Sequence, residues 1–130
     1  MNEPDVPATQ SLKPLAVLRD IGIVWGLTLL CGFVVGVAGA KSNLTTALVL
    51  CNFLFGIVGF VIAGCLTIEN RWKHLFAVSV GLWLVGLVNM LFIPMTLLQW
   101  FQSYVFILII MGIGGGLAAI VRKRSPPAHS

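Results

Sequence analysis

Four long apolar segments without a charged residue divide the chain, and they restrict it to a membrane fold. The segments cover residues 21–40, 44–68, 75–93 and 97–121. Each is close to or above the ~20 residues with which a helix crosses a hydrocarbon core of about 30 Å. The sequence therefore predicts an all-α membrane protein, a four-transmembrane-helix bundle with up-down-up-down topology formed by residues 21–121.

The composition disfavours the main alternatives to this fold. Only 9% of the residues are charged and 58% are hydrophobic, whereas a soluble domain carries about 25% charged residues. A transmembrane β-barrel requires segments in which apolar and polar residues alternate, and these continuous runs do not show that pattern. The net charge of +4 comes from basic residues that flank the apolar segments, so the sequence predicts no basic stripe for nucleic acid.

The basic residues predict the orientation of the chain in the membrane. With four spans, seven of the eight lysines and arginines fall on one side, and Lys41 falls alone on the other. The seven are Lys13, Arg19, Arg71, Lys73, Arg122, Lys123 and Arg124. Because cytoplasmic segments carry the excess of lysine and arginine, we expect both termini to face the cytoplasm. The expected location is a cell membrane, specifically a bacterial inner membrane, where the chain is a multi-pass protein.

The two ends of the chain are predicted to be cytoplasmic tails. Residues 1–20 combine three prolines with polar residues, and residues 122–130 join a basic cluster to two prolines. Residues 1–20 and 125–130 have too little apolar surface to repay the entropy of ordering, so both are predicted to be disordered. Residues 38–40 resemble a signal-peptidase site, so cleavage there remains open beside retention of the first span. The length of the preceding apolar run favours retention.

Glycine placement is the most informative pattern inside the spans, because all 14 glycines lie there. In membrane helices small residues mark close helix contact, since lipid supplies no hydrophobic driving force for association. The predicted helix-packing residues are Gly22, Gly26, Gly32, Gly36, Gly56, Gly59, Ala63, Gly112 and Gly116. The run from Gly112 to Gly116 has two open interpretations, a packing face or a hinge.

Two amides are the strongly polar residues of the second and third spans. Asn52 and Asn89 are expected at similar depths in the outer half of the bilayer. An amide that faces lipid stays without a hydrogen-bond partner. We therefore predict that both amides face the interior of the bundle, where they are candidates to bond to each other.

No motif for catalysis, a metal or a cofactor stands out in the sequence. Of the four carboxylates, Asp20 is explained by the positive dipole end of the first helix. Histidine occurs only at His74 and His129, which does not support a bis-histidine haem. The three cysteines form no Cys-x2-Cys pair and are interpreted as small apolar residues. We therefore expect a protein without enzymatic activity, cofactor or metal.

The second connection is the most polar one, and it supplies the candidate contacts with a partner or a lipid phosphate. These candidates are Arg71, Trp72 and Lys73. The sequence favours a scaffold or accessory subunit that packs through its glycine-rich faces against its own copies or a larger membrane complex. The alternative is a small homo-oligomeric carrier or channel for a lipid or a lipid-linked substrate. Membrane lipids are the expected surroundings, and nucleic acid is not an expected partner.

Overall fold

The computed structural model describes residues 12–38, 44–67, 69–91 and 94–124, without the side chains of Leu44 and Asn89. Throughout these ranges the regular structure is helical, and the four helices are each long and apolar enough to cross a membrane. They are α1 (Pro14–Val37), α2 (Leu44–Leu66), α3 (Arg71–Met90) and α4 (Leu97–Arg124). The predicted four-helix membrane bundle is confirmed. The predicted tail residues 1–11 and 125–130 lie outside the described residues.

The first helix begins at Pro14 rather than at the predicted Ile21. Proline is favoured at the first helical position, because its fixed φ suits a helix and it has no N–H to leave unsatisfied. Lys13 precedes it in an extended conformation, with φ −77° and ψ 105°. The charged residues Arg19 and Asp20 therefore lie in the second turn of α1 rather than in a tail.

The third helix begins at a tight turn at Asn70. Its backbone has a φ of 49°, a left-handed conformation that asparagine tolerates better than most side chains. The carbonyl of Asn70 accepts a hydrogen bond from the N–H of His74 at 3.0 Å, which starts the first turn of α3. This places His74 one turn into the helix.

The four helices form a square in which chain order and spatial order differ. α2 and α3 each pack mainly against both α1 and α4, whereas α1 and α4 share no contact among the described residues. Asp20 near the start of α1 bonds His74 near the start of α3, and Arg122 near the end of α4 bonds Thr67 just after α2. Successive helices therefore run in opposite directions. We call the end marked by these four residues the terminal end.

The centre of the bundle is a small apolar core that depends on close helix approach. Its buried members are Val24, Phe60, Ala63, Leu75, Val78 and Ile110. A Cβ added to Gly64 would lie 2.8 Å from that of Ala118, and one added to Gly114 would lie 2.6 Å from that of Phe60. α2 and α4 can therefore lie this close only because these positions are glycine.

An aromatic cluster joins α3 and α4 near the opposite end. The rings of Trp83 and Trp100 stack with centroids 3.9 Å apart and an interplanar angle of 13°. Each indole N–H donates to the backbone carbonyl of the other tryptophan at 3.1 Å. Tyr104 and Phe101 pack on Trp83 with centroids 4.9 and 5.7 Å away. The reciprocal bonds satisfy both indole N–H groups within the bundle.

Candidate functional site at the terminal end of the bundle

A buried carboxylate is the main polar feature of the bundle. Asp20 is fully buried on α1, and its Oδ2 lies 2.7 Å from Nε2 of His74, which is itself 4% exposed. The Oδ1 of Asp20 accepts a bond from Nε of Arg19 at 2.7 Å. Burying a charge is costly unless it is paired and hydrogen-bonded, and both oxygens of this carboxylate have partners.

Sequence reasoning missed this pair because it placed Asp20 at a solvated helix end. Once α1 begins at Pro14, Asp20 lies on the same helix face as the buried Val24 and Cys31. His74 similarly precedes the buried Leu75 and Val78 on α3. The available signal was that periodicity, which extends the apolar faces of both helices to one acid and one imidazole.

A cavity of about 400 Å³ lies beside the pair, between the start of α1, the end of α2 and the connection to α3. Its polar lining consists of Lys13, Arg19, Thr67, Glu69, Asn70, Lys73 and His74. Lys13 and Lys73 form no ion pair with any of the described residues. The cavity therefore places two lysine ammonium groups and one arginine beside a single lining carboxylate.

The end of α2 is tied to α4 next to this cavity. Nη1 of Arg122 donates to the carbonyl of Thr67 at 3.0 Å, and the hydroxyl of Thr67 donates to the carbonyl of Ala63 at 2.9 Å. A helix C-terminus leaves carbonyls unsatisfied and carries partial negative charge. The guanidinium of Arg122 offsets the partial negative charge at the end of α2. That helix end therefore does not cancel the positive charge of the cations that line the cavity.

The predicted packing glycines divide into two groups. Gly56 meets Ile110, Gly59 meets Val24, and Ala63 is fully buried. For the other group, a Cβ would meet nothing within 4 Å in the described part of the chain. This group comprises Gly22, Gly26, Gly32 and Gly36 on α1 and Gly112 and Gly116 on α4. The structure thus packs the first group inside the bundle and leaves the second without a neighbouring helix.

The predicted Arg71-Trp72-Lys73 group points in three directions. Arg71 is half-buried, with its Cδ 3.8 Å from a Cβ built on Gly64. The ring of Trp72 packs toward Gly115 of α4, and Lys73 lines the cavity. Of the three, only Lys73 belongs to the candidate site.

The predicted pair of amides is only partly described. Asn52 is half-buried on α2. The side chain of Asn89 lies outside the described part of the structure, so the contact between the two stays a prediction.

The three cysteines differ in covalent state. Cys31 of α1 and Cys51 of α2 are joined by a disulfide, with Cα atoms 6.0 Å apart, which lies within the usual range for such bonds. Cys65 is free and exposed. The interpretation of all three as small apolar residues is therefore wrong for the first two. Sequence spacing gave no signal, because the partners lie on different antiparallel helices.

Comparison of the chain with protein-family models, with curated proteins and with solved structures finds no match. Within the described ranges, no three histidine, cysteine or acidic side chains lie close enough together to hold a metal ion.

Proposed function

We propose that this protein is a non-enzymatic assembly or accessory subunit of a membrane complex, and that it binds its partner through the outer face of α1. The observation that carries the proposal is the position of Gly22, Gly26, Gly32 and Gly36. A Cβ built on any of the four would meet no other described residue within 4 Å. We call them the α1 glycine face.

The position of these glycines on the helix supports a partner helix. The buried residues of α1 are Asp20, Val24 and Cys31, and at 100° per residue Gly22 and Gly26 lie on the opposite side. Glycine lowers helix propensity by about 1 kcal/mol relative to alanine and offers lipid little surface. In membrane helices its benefit is close backbone approach by another helix. Such a contact is missing among the described residues, so we assign it to a second polypeptide.

A single substitution tests this assignment. Gly26→Leu places a large side chain on the α1 glycine face, and overpacking a close interface costs about 1–3 kcal/mol. We expect the full-length protein, isolated from its native membrane in mild detergent, to lose its partner or its own copies. The measurement is the intact mass of the tagged complex. The wild-type mass also tells a foreign subunit from multiples of 14.0 kDa.

The matched control is Gly112→Leu, which makes the same change on α4. Gly112 is exposed, and a Cβ built on it likewise meets nothing within 4 Å among the described residues. Since α1 and α4 share no contact in the described bundle, this variant leaves the α1 glycine face unaltered and should keep the complex intact. If Gly26→Leu and the control retain or lose the complex equally, the assignment to the α1 glycine face is wrong.

A carrier for a lipid or lipid-linked substrate is the second candidate, and the cavity at the terminal end is the observation that favours it. Its cationic lining suits an anionic headgroup. The test is transfer of a fluorescent phospholipid between leaflets of vesicles that contain the purified protein. Transfer that depends on Lys73 would favour the carrier, and rates equal to those of protein-free vesicles would exclude it.

A further inference from the structure

We propose that the cavity at the terminal end binds the phosphate group of an anionic membrane lipid. The site consists of Lys13 and Arg19 at the start of α1 and Lys73 at the start of α3. The proposal does not depend on the α1 glycine face, whose glycines are not among the residues that line the cavity.

The charge of the cavity matches a phosphodiester. Lys13, Arg19 and Lys73 contribute three positive charges, and the lining residue Glu69 together with Asp20 contributes two negative ones. Apart from His74, the side chains of the site therefore sum to a net charge of about +1, against about −1 for a phosphodiester. The charges are also unevenly placed, because Asp20 is buried behind Arg19 while the two lysines are exposed.

The Asp20–His74 contact sets the position of Arg19. Arginine has five N–H donors in a planar fork, and Asp20 takes only the Nε donor. The side chain of Arg19 remains 51% exposed. The carboxylate of Asp20, which also contacts His74, thus orients a guanidinium that lines the cavity and has further donors to offer a ligand. This is the geometry in which arginine binds phosphate oxygens.

The two helix ends at the cavity add to this preference for an anion. α1 and α3 both begin there, and neither has an acidic residue in its first turn. Lys13 at the start of α1 provides no side-chain cap. Helix N-termini carry partial positive charge, so both helix ends reinforce the cations that line the site.

A second, adjoining cavity favours a lipid over a soluble phosphate. It is an open depression of about 570 Å³ on the surface of residues 12–19, and it shares Lys13 and Arg19 with the first cavity. The remainder of its lining includes Pro14 and Leu15, and Leu15 is 80% exposed on the outside of α1. A phospholipid whose phosphate is held by the cations would therefore lay its acyl chains along an apolar helix surface. A soluble phosphate has no group that would use this surface.

Lipid titration of the full-length protein tests the site. Phosphatidylglycerol is added to the protein in mild detergent, and bound lipid is counted by native mass spectrometry. A basic residue near a lipid surface contributes about a fivefold change in affinity. We expect Lys13→Gln and Lys73→Gln each to weaken binding by about that factor. Glu69→Gln should tighten binding, an outcome that misfolding cannot produce.

The control is Lys123→Gln, which removes a lysine at the same end of the bundle but outside the cavity. Equal losses for Lys73→Gln and Lys123→Gln would mean diffuse attraction to surface charge and would overturn the site. sn-Glycerol 3-phosphate and inorganic phosphate are tested as competitors at millimolar concentration. Displacement of the lipid by either one as effectively as by phosphatidylglycerol would overturn the lipid assignment in favour of a soluble phosphate.

Discussion

Asp20 and His74 illustrate how a buried polar contact constrains a small bundle at the scale of single residues. The pair joins α1 to α3, two helices that are not adjacent in the chain, and both side chains are almost fully enclosed. Breaking a buried pair by removing one partner is destabilising by about 3–5 kcal/mol, whereas replacing both partners by apolar residues is often neutral. The contact therefore has a testable energetic signature.

We predict that Asp20→Leu and His74→Leu each lower the free energy of unfolding by about 3–5 kcal/mol. The double variant Asp20→Leu with His74→Leu should be more stable than the sum of the single effects predicts, because it leaves no buried polar partner alone. The measurement is unfolding in mixed micelles by a denaturing detergent. Additive losses would show that the two side chains do not interact. Glu69→Gln, an exposed carboxylate at the same end, is the control for a general charge effect.

At the scale of helices, the tryptophan stack holds α3 and α4 together away from the terminal end. An aromatic pair contributes about 0.5–1.5 kcal/mol beyond its area, and each of its two hydrogen bonds adds about 0.5–1.5 kcal/mol. Trp100→Leu removes the stack and the bond from its own indole N–H, whereas its backbone carbonyl can still accept from Trp83. We therefore predict that this variant destabilises the bundle by about 1–3 kcal/mol and abolishes the near-ultraviolet circular dichroism of the stacked indoles. Trp25→Leu, at a residue outside this stack, is the control. An unchanged spectrum for Trp100→Leu would show that the indoles do not stack.

The helices were predictable from the sequence because lipid imposes a simple rule on them, a charge-free run of sufficient length. The ends were less predictable. Pro14 was interpreted as part of a disordered tail, yet it is the first residue of α1. The requirement for a charge-free run does not predict the start of α1, because a charged residue is acceptable in a helix when another helix supplies its partner. Periodicity along one helix cannot reveal that partner, so neither the Asp20–His74 contact nor the Cys31–Cys51 disulfide was predicted.

At the scale of the whole molecule, the bundle is polarised. The described polar cavity, the Asp20–His74 pair and the Arg122–Thr67 bond all lie at the terminal end, while the aromatic cluster of Trp83 and Trp100 lies toward the other. Basic residues gathered at one end also determine how a membrane protein is inserted. The proposed phosphate site and the predicted orientation thus depend partly on the same residues, Lys13, Arg19 and Lys73.

Insertion can be separated from binding by moving charge without touching the cavity. We predict that a fluorescent protein fused after Ser130 is fluorescent, because the positive-inside rule places that end in the cytoplasm. Alkaline phosphatase fused after Thr96 should be active, because that connection then lies outside. Replacing Lys123 and Arg124 by glutamine and adding three lysines between α3 and α4 should reduce the fluorescence, since the charge bias falls. Lys41→Gln, which removes the lone opposing charge, should leave both reporters unchanged. Phosphatase activity after Ser130 in the unaltered chain would reverse the orientation, and the phosphate site would then face the outer leaflet.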